Sequence, residues 1–161
     1  MTLESTGERF MPDMQGETAI EHMHRYLFAR ELVQEGSAVL DIACGEGYGS
    51  ALLSAKAASV VGVDVSPAAV EHAREKYGND RVSFLTGDVC AVPLPDESLD
   101  AIVSFETIEH IAAHEKMLAV FARVLKPGGI VIISRSDKYR YFVSSGYQNE
   151  FLLKELFRHE F

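Results

Sequence analysis

Short apolar runs and stretches of helical spacing alternate along the chain. Residues 38–43 (AVLDIA), 59–65 (SVVGVDV), 82–86 (VSFLT), 99–105 (LDAIVSF) and 130–134 (IVIIS) carry apolar side chains at successive positions. That is the pattern of strands buried on both faces. Between them, 48–58 is rich in Ala and Leu, and 114–125 sets Met117, Leu118, Phe121, Val124 and Leu125 on an inward helical stripe. The stretch 66–78 (SPAAVEHAREKYG) has the clearest boundaries. Ser66 suits an N-cap, Pro67 the first helical position and Gly78 the residue past the end, with Val70, Ala73 and Tyr77 facing in. Upstream, 17–35 reads as a helix with Ile20, Met23 and Leu27 on its inward stripe and a stop at Gly36. KPGG at 126–129 reads as a turn, 135–148 as a loop, and 149–161 as a last amphipathic helix.

Strands alternating with helices predict a mostly parallel sheet covered on both faces. Right-handed crossovers point to a doubly wound, Rossmann-like α/β fold, with strand order 3-2-1-4-5. The 161 residues suit one domain: an N-terminal cap and helix (1–36), a core (37–134), and a loop with a final helix (135–161). Ligands of such folds bind beyond the carboxyl ends of the strands, so the strand ends are the places to search.

Composition narrows the function. Acidic residues outnumber basic ones 24 to 15, which argues against a nucleic-acid surface. No apolar run approaches the ~20 residues of a membrane helix, and the first residues (MTLESTGERF) lack the regions of a signal peptide. Cys44 and Cys90 are far apart and fit no metal spacing, so a reducing cytoplasm is the expected setting.

At the end of the first strand stands DIACGEGYG, with Asp41 ahead of Gly45, Gly47 and Gly49. Gly45 and Gly47 allow positive φ and a close backbone approach to a ligand, although many tight strand–helix turns share this pattern. The second strand ends at Asp64, placed to accept from both hydroxyls of a ribose. The third ends at Asp88. The fourth runs into SFETIEH, bringing Phe105, Glu106 and His110 to the mouth. A dinucleotide would set its pyrophosphate against Asp41, and the spacing is GxGxG rather than GxGxxG. An ammonium group suits Asp41 better, directly or through water. Asp64 would hold ribose and Asp88 an adenine amino group. S-adenosyl-L-methionine has all three parts and a cationic sulfonium.

The same segments resemble the class I S-adenosylmethionine-dependent methyltransferases. VLDIACGEGYG is similar to that family's first motif, with Ala43 where glycine is commoner. VVGVDVSPAAVEHAREK is similar to the second, FLTGDVCAVPLPDESLDAIVSFETIEHI to the third and fourth, and VLKPGGIVIIS to the fifth. The resemblance implies methyl transfer to a nucleophile. It further implies that Ala43, Val65, Val89 and Phe105 line the cofactor. GERFMPD, HMHRYLFA and GYQNEFLLKELFRHEF resemble a narrower group, the methyltransferases of cell-surface glycan assembly. That likeness implies an N-terminal helix folded over the cofactor, with Tyr26 touching it.

The resemblance also implies two further strands after the last helix, which would begin where the chain stops at Phe161. Strand 130–134, Ile130 to Ser134, is then an edge, and an apolar edge invites pairing. The expected solutions are a second copy or further domain paired there, the 135–148 loop laid over it, or a chain that is a fragment of a longer protein.

For chemistry, His110 is the candidate general base toward a hydroxyl acceptor, since it follows the fourth strand and suits neutral pH. It also fits a capping or packing role. His110 and His114 are four apart, a metal-pair spacing without evident further ligands, and no metal is expected. His22 and His24 should point different ways on their helix. Glu106 and Glu109 are either acceptor-holding groups or solvated acids at a helix start, the latter fitting Glu109 better. The leading reading is methyl transfer to a small-molecule or sugar acceptor, at a hydroxyl. The rivals are a non-catalytic cofactor-binding or partner domain and an NAD-dependent oxidoreductase.

Overall fold

The computed structural model describes residues 17–135. The expectations for 1–16, and for the loop and helix past Arg135, lie outside the described residues. Helix α1 (Glu17–Leu32) is followed by β1 (Ala38–Ile42), α2 (Tyr48–Leu53), β2 (Ser59–Asp64), α3 (Pro67–Tyr77), β3 (Val82–Thr86), β4 (Leu99–Phe105), α4 (His114–Val124) and β5 (Leu125–Ser134). A 3-10 turn, Ile108–His110, lies between β4 and α4. All pairings are parallel and the order is β3-β2-β1-β4-β5, as the alternation of elements predicts.

Register partners share a face of the sheet. Asp41 lies opposite Gly62 and Val103, and Gly62 lies opposite Phe84. That face packs against Tyr26 and Ala29 of α1 and Val33 just past its end, Tyr48 and Leu53 of α2, and Val70 and Ala73 of α3. Leu40, Ile42, Val63 and Ile102 point to the other face, under Met117, Phe121 and Val124 of α4. Each such large side chain taken from water contributes roughly 1.5–3 kcal/mol. Arg123 of α4 holds the long loop before β4 by donating to the carbonyls of Val92 and Leu94 at 2.8 Å and to Asp96 at 2.7 Å.

Helix α3 starts and stops as its residues dictate. The Ser66 hydroxyl accepts from Ala69 N–H at 3.3 Å, and Pro67 occupies the first turn. A Cβ on Gly78 would collide with the Arg74 carbonyl.

Three expectations need correction. The inward stripe of α1 is Tyr26 and Ala29, continued by Val33 just past its end, whereas Ile20 is 70% and Met23 36% exposed. Apolar residues occur on both sides of this helix, so their spacing leaves its phase open. The phase is set by Tyr26, whose ring fills the space over Gly49, where a Cβ would collide with it. Helices α1 and α2 are shorter than expected, ending at Leu32 and Leu53. KPGG does not precede the last strand but lies inside it. Leu99 pairs with Leu125 and Ala101 with Ile130, so 126–129 bulges out of the ladder with Gly128 at φ 82°.

The Gly49 notch predicts that Gly49→Ala displaces Tyr26 and lowers stability by about 1–3 kcal/mol, the usual cost of overpacking. Urea unfolding measures it, with the near-ultraviolet tyrosine dichroism changed in the same variant. A stability equal to the parent protein would mean that Tyr26 does not anchor α1.

Candidate active site

Beyond the carboxyl ends of β1, β2 and β4 lies a cavity of about 300 Å³. Ala43, Asp64, Val65, Asp88, Val89 and His110 all line it: Asp64, Asp88 and His110 were expected from the strand ends, and Ala43, Val65 and Val89 from the resemblance. Its walls are mostly apolar, with the carboxylates of Asp64 and Asp88 to one side and Glu106 and His110 to the other. Val65 is 75% exposed at the rim, an unusual place for a valine unless something apolar rests on it.

Asp64 ties the site together. Its Oδ2 accepts from Gly45 N–H and its Oδ1 from Ser66 N–H, each at 2.9 Å. One carboxylate thus holds both the glycine loop and the start of α3. An ionised carboxylate has about four acceptor positions, so these bonds leave capacity for ligand hydroxyls. Gly45 (φ 56°) and Gly47 (φ 87°) adopt the left-handed conformation the loop requires. They form the turn beside the cavity rather than its lining. Asp88 is exposed, and its Oδ1 accepts from Cys90 N–H at 2.7 Å.

Two non-glycine residues at this edge also have positive φ: Ala43 at 58° and Glu106 at 48°. They follow the two central strands, and both line the cavity. Glu106 is held from several sides. Its N–H donates to the Ser134 carbonyl at 3.1 Å, its carboxylate accepts from the Ser134 hydroxyl at 3.2 Å, and Arg25 lies 3.6 Å away. His22 lies in this cluster, while His24 is exposed, so the two do point different ways. Burial and the Arg25 charge hold the His22 imidazole below its ordinary pKa, against the pull of Glu106 and Glu21.

Asp41 does not meet the cavity. It is fully buried on the α1–α2 side of the sheet. Its Oδ1 accepts from the Tyr26 hydroxyl at 3.0 Å and its Oδ2 from the Ser50 hydroxyl at 2.6 Å. Direct contact with a bound ammonium, one of the two options raised by the sequence, is therefore replaced by an internal role. Strand alternation explains it: Val39 and Asp41 share a face, and that face is covered by helices. Tyr26 and Phe105 stand behind the cavity, their rings packed edge to face at 5.0 Å. Burial and the Asp41 charge raise the Tyr26 phenol well above its ordinary range, which keeps it a donor.

Glu109, expected as a solvated acid, is 3% exposed. His114 turns its Nε2 to the Ile108 carbonyl at 2.9 Å, which occupies one nitrogen of the His110–His114 pair. Among the described residues no three acidic, histidine or cysteine side chains converge as a metal site, and no helix is long and apolar enough to cross a membrane. Sequence reasoning passed over Arg25, Thr107 and Glu46. Glu46 had a visible signal, an acid enclosed between two glycines of the motif.

Burial raises the Asp41 carboxyl to about 7; the Ser50 and Tyr26 hydrogen bonds oppose that rise and the Asp64 charge adds to it. The unfolded chain releases this proton near pH 4. Between roughly pH 4 and 7 the folded state therefore binds more protons, and this group's contribution to stability falls as pH rises through that window. Asp41→Asn keeps the shape and should flatten the decline of melting temperature between about pH 4 and 7. An unchanged slope would show that Asp41 is ionised when folded.

The methyltransferase-domain family matches residues 40–133 of the chain. A probable S-adenosylmethionine-dependent methyltransferase of Mycolicibacterium smegmatis is 36% identical over 134 residues, 83% of this chain and 51% of that protein. A demethylmenaquinone methyltransferase of Clavibacter sepedonicus is 38% identical over 99 residues, 61% of this chain and 40% of that protein. The crystal structure of the PH0226 protein of Pyrococcus horikoshii superposes with a TM-score of 0.75 at 26% identity, covering 91% of this chain and 73% of that one. The chain spans about half the length of the M. smegmatis protein and of two probable S-adenosylmethionine-dependent methyltransferases of Mycobacterium tuberculosis that it matches. With the family's match running from β1 to β5 on a sheet of the same order, the chain belongs to the class I S-adenosylmethionine-dependent methyltransferases.

Proposed function

We propose that the chain binds S-adenosyl-L-methionine in the cavity beyond the strand ends and transfers its methyl group to a small-molecule or sugar acceptor, at a hydroxyl. The observation that carries this reading is Asp64. It lines the cavity while holding Gly45 N–H, so the ribose-binding carboxylate and the glycine turn form one unit. The residues present fit the cofactor: a slot of about 300 Å³ with apolar walls and acids at its rim suits a cationic nucleoside. Asp64 would hold the ribose hydroxyls, Asp88 the adenine amino group, and Ala43, Val65 and Val89 the flat faces.

When bound, S-adenosylmethionine supplies a methyl group made reactive by the sulfonium. The chain's task is then alignment and exclusion of water. His110, on the cavity wall, would accept the proton of the acceptor hydroxyl. Glu106 faces the same side and, through Arg25 and Ser134, joins α1 and β5 at the acceptor end. Tyr26, Asp41 and Phe105 support this floor from behind. The strand β5, with Ile130 and Val131 each 40% exposed, is the edge where a second copy or a further domain would pair. A cytoplasmic setting suits the thiols of Cys44 and Cys90.

Calorimetric titration with S-adenosylhomocysteine should give micromolar binding, about −8 kcal/mol. Asp64→Ala should weaken it at least tenfold in a protein that still melts cooperatively. His110→Ala should leave that affinity within about threefold but slow methyl transfer to a hydroxyl acceptor by roughly 10²–10⁴. A His110 variant transferring methyl at the parent rate would remove the base assignment, and unaltered binding by Asp64→Ala would remove the ribose assignment.

A further inference from the structure

Glu46 stands between Gly45 and Gly47 in the loop that opens α2, yet its side chain is only 1% exposed. It turns away from the cavity toward α3. Its Oε2 lies 3.0 Å from His72 Nε2 and 3.8 Å from Lys76 Nζ. The His72 approach is not an aligned hydrogen bond, and Oε1 of Glu46 has no hydrogen-bond partner among the described residues. A buried carboxylate with one unsatisfied oxygen is costly, and removing a partner from such a pair costs more than the pair itself is worth. His72 and Lys76 of α3 are therefore what keep the acid inside and the loop against that helix.

Helix α3 can bear this. Arg74 donates to the Phe84 carbonyl at 2.9 Å, fixing the helix to β3. Beside the acid, Gly47 rests on α3 and β3, where an added Cβ would lie 2.8 Å from the Ala73 Cβ and 2.7 Å from the Phe84 ring. The loop is thus held on one flank by Asp64 and on the other by α3, and only the first flank faces the cavity.

We propose that Glu46 is a positioning residue: through His72 and Lys76 it holds the Gly45–Gly47 turn in the shape that receives the cofactor. This rests on the cofactor reading above. A loop freed on its α3 side would keep Asp64 but sample turns in which the backbone no longer fits the ligand, so affinity falls although no contacting group is changed.

The test is a double-mutant cycle in the affinity of the full chain for S-adenosylhomocysteine, by calorimetry, with Glu46→Gln, His72→Gln and their combination. Each single variant should raise Kd by about tenfold, and the double variant no more than either, because the two side chains act as one unit. Lys76→Met should show a smaller rise, in keeping with its longer contact. Thermal melting accompanies each arm. Glu46→Gln is nearly isosteric and His72 is 18% exposed, so at least one single variant folds. Folded variants that bind within about twofold of the parent would overturn the proposal, even with lowered melting temperatures, since the pair would then be structural only. Single effects that add in the double variant would overturn it as well. Failure of the parent chain itself to bind would instead remove the cofactor reading and this inference with it.

Discussion

The Asp41 carboxyl has no access to water, and its oxygens are taken by hydroxyls from α1 and α2. Burying such a group without partners would cost several kcal/mol, so wherever Asp41 goes, Tyr26 and Ser50 must follow. The neighbours show the consequence. Gly62, opposite Asp41 in β2, leaves room for the Ser50 hydroxyl and the Phe84 ring, and an added Cβ would lie 2.9 Å from the first and 2.5 Å from the second. Gly49 leaves room for the Tyr26 ring. Two absent side chains thus permit one buried acid, and through it three elements take their places beneath the glycine loop.

The acids of the strand ends therefore have different duties, although they look alike in the sequence. Asp41 works inward, its carboxyl raised by burial to about 7. Asp64 works along the rim, spending one bond on each of two backbone N–H groups. Asp88 caps its own turn in solvent. Grouping all three as ligand-facing charges overstated the negative potential of the cavity.

Most of the sheet was legible because parallel strands buried on both faces leave continuous apolar runs, and β3 and β4 were placed to the residue. In the cavity lining, Asp64, Asp88 and His110 followed from the rule about strand ends, and Ala43, Val65 and Val89 from the family resemblance. What was not legible depends on direction rather than position. The phase of α1 is set by one aromatic ring entering a notch on another helix, and no periodicity in 17–35 encodes that. The inward turn of Asp41 was in principle readable from the two-residue repeat of its strand, but the motif's usual reading drew attention to the ligand. Glu109 and Glu46 show the same difficulty. An acid next to a turn is usually solvated, and only the packing of surrounding elements shows when it is not. The KPGG segment was rightly seen as a departure from regular strand, yet a bulge and a chain reversal share the same residues.

Glu106 shows how the cofactor half of the site is joined to the rest. A glutamate with φ 48° costs on the order of 1–3 kcal/mol, and it persists only where its surroundings determine it. Here the determination comes from two elements distant in sequence: Ser134 at the end of β5, through both backbone and hydroxyl, and Arg25 in the middle of α1. Neither element supplies the Asp64–Gly45 unit that reads as the cofactor cradle. The cradle is thus set within 40–89, while the conformation of the opposite wall depends on how α1 and β5 meet. Changes in either of those elements can reshape the acceptor side without disturbing Asp64.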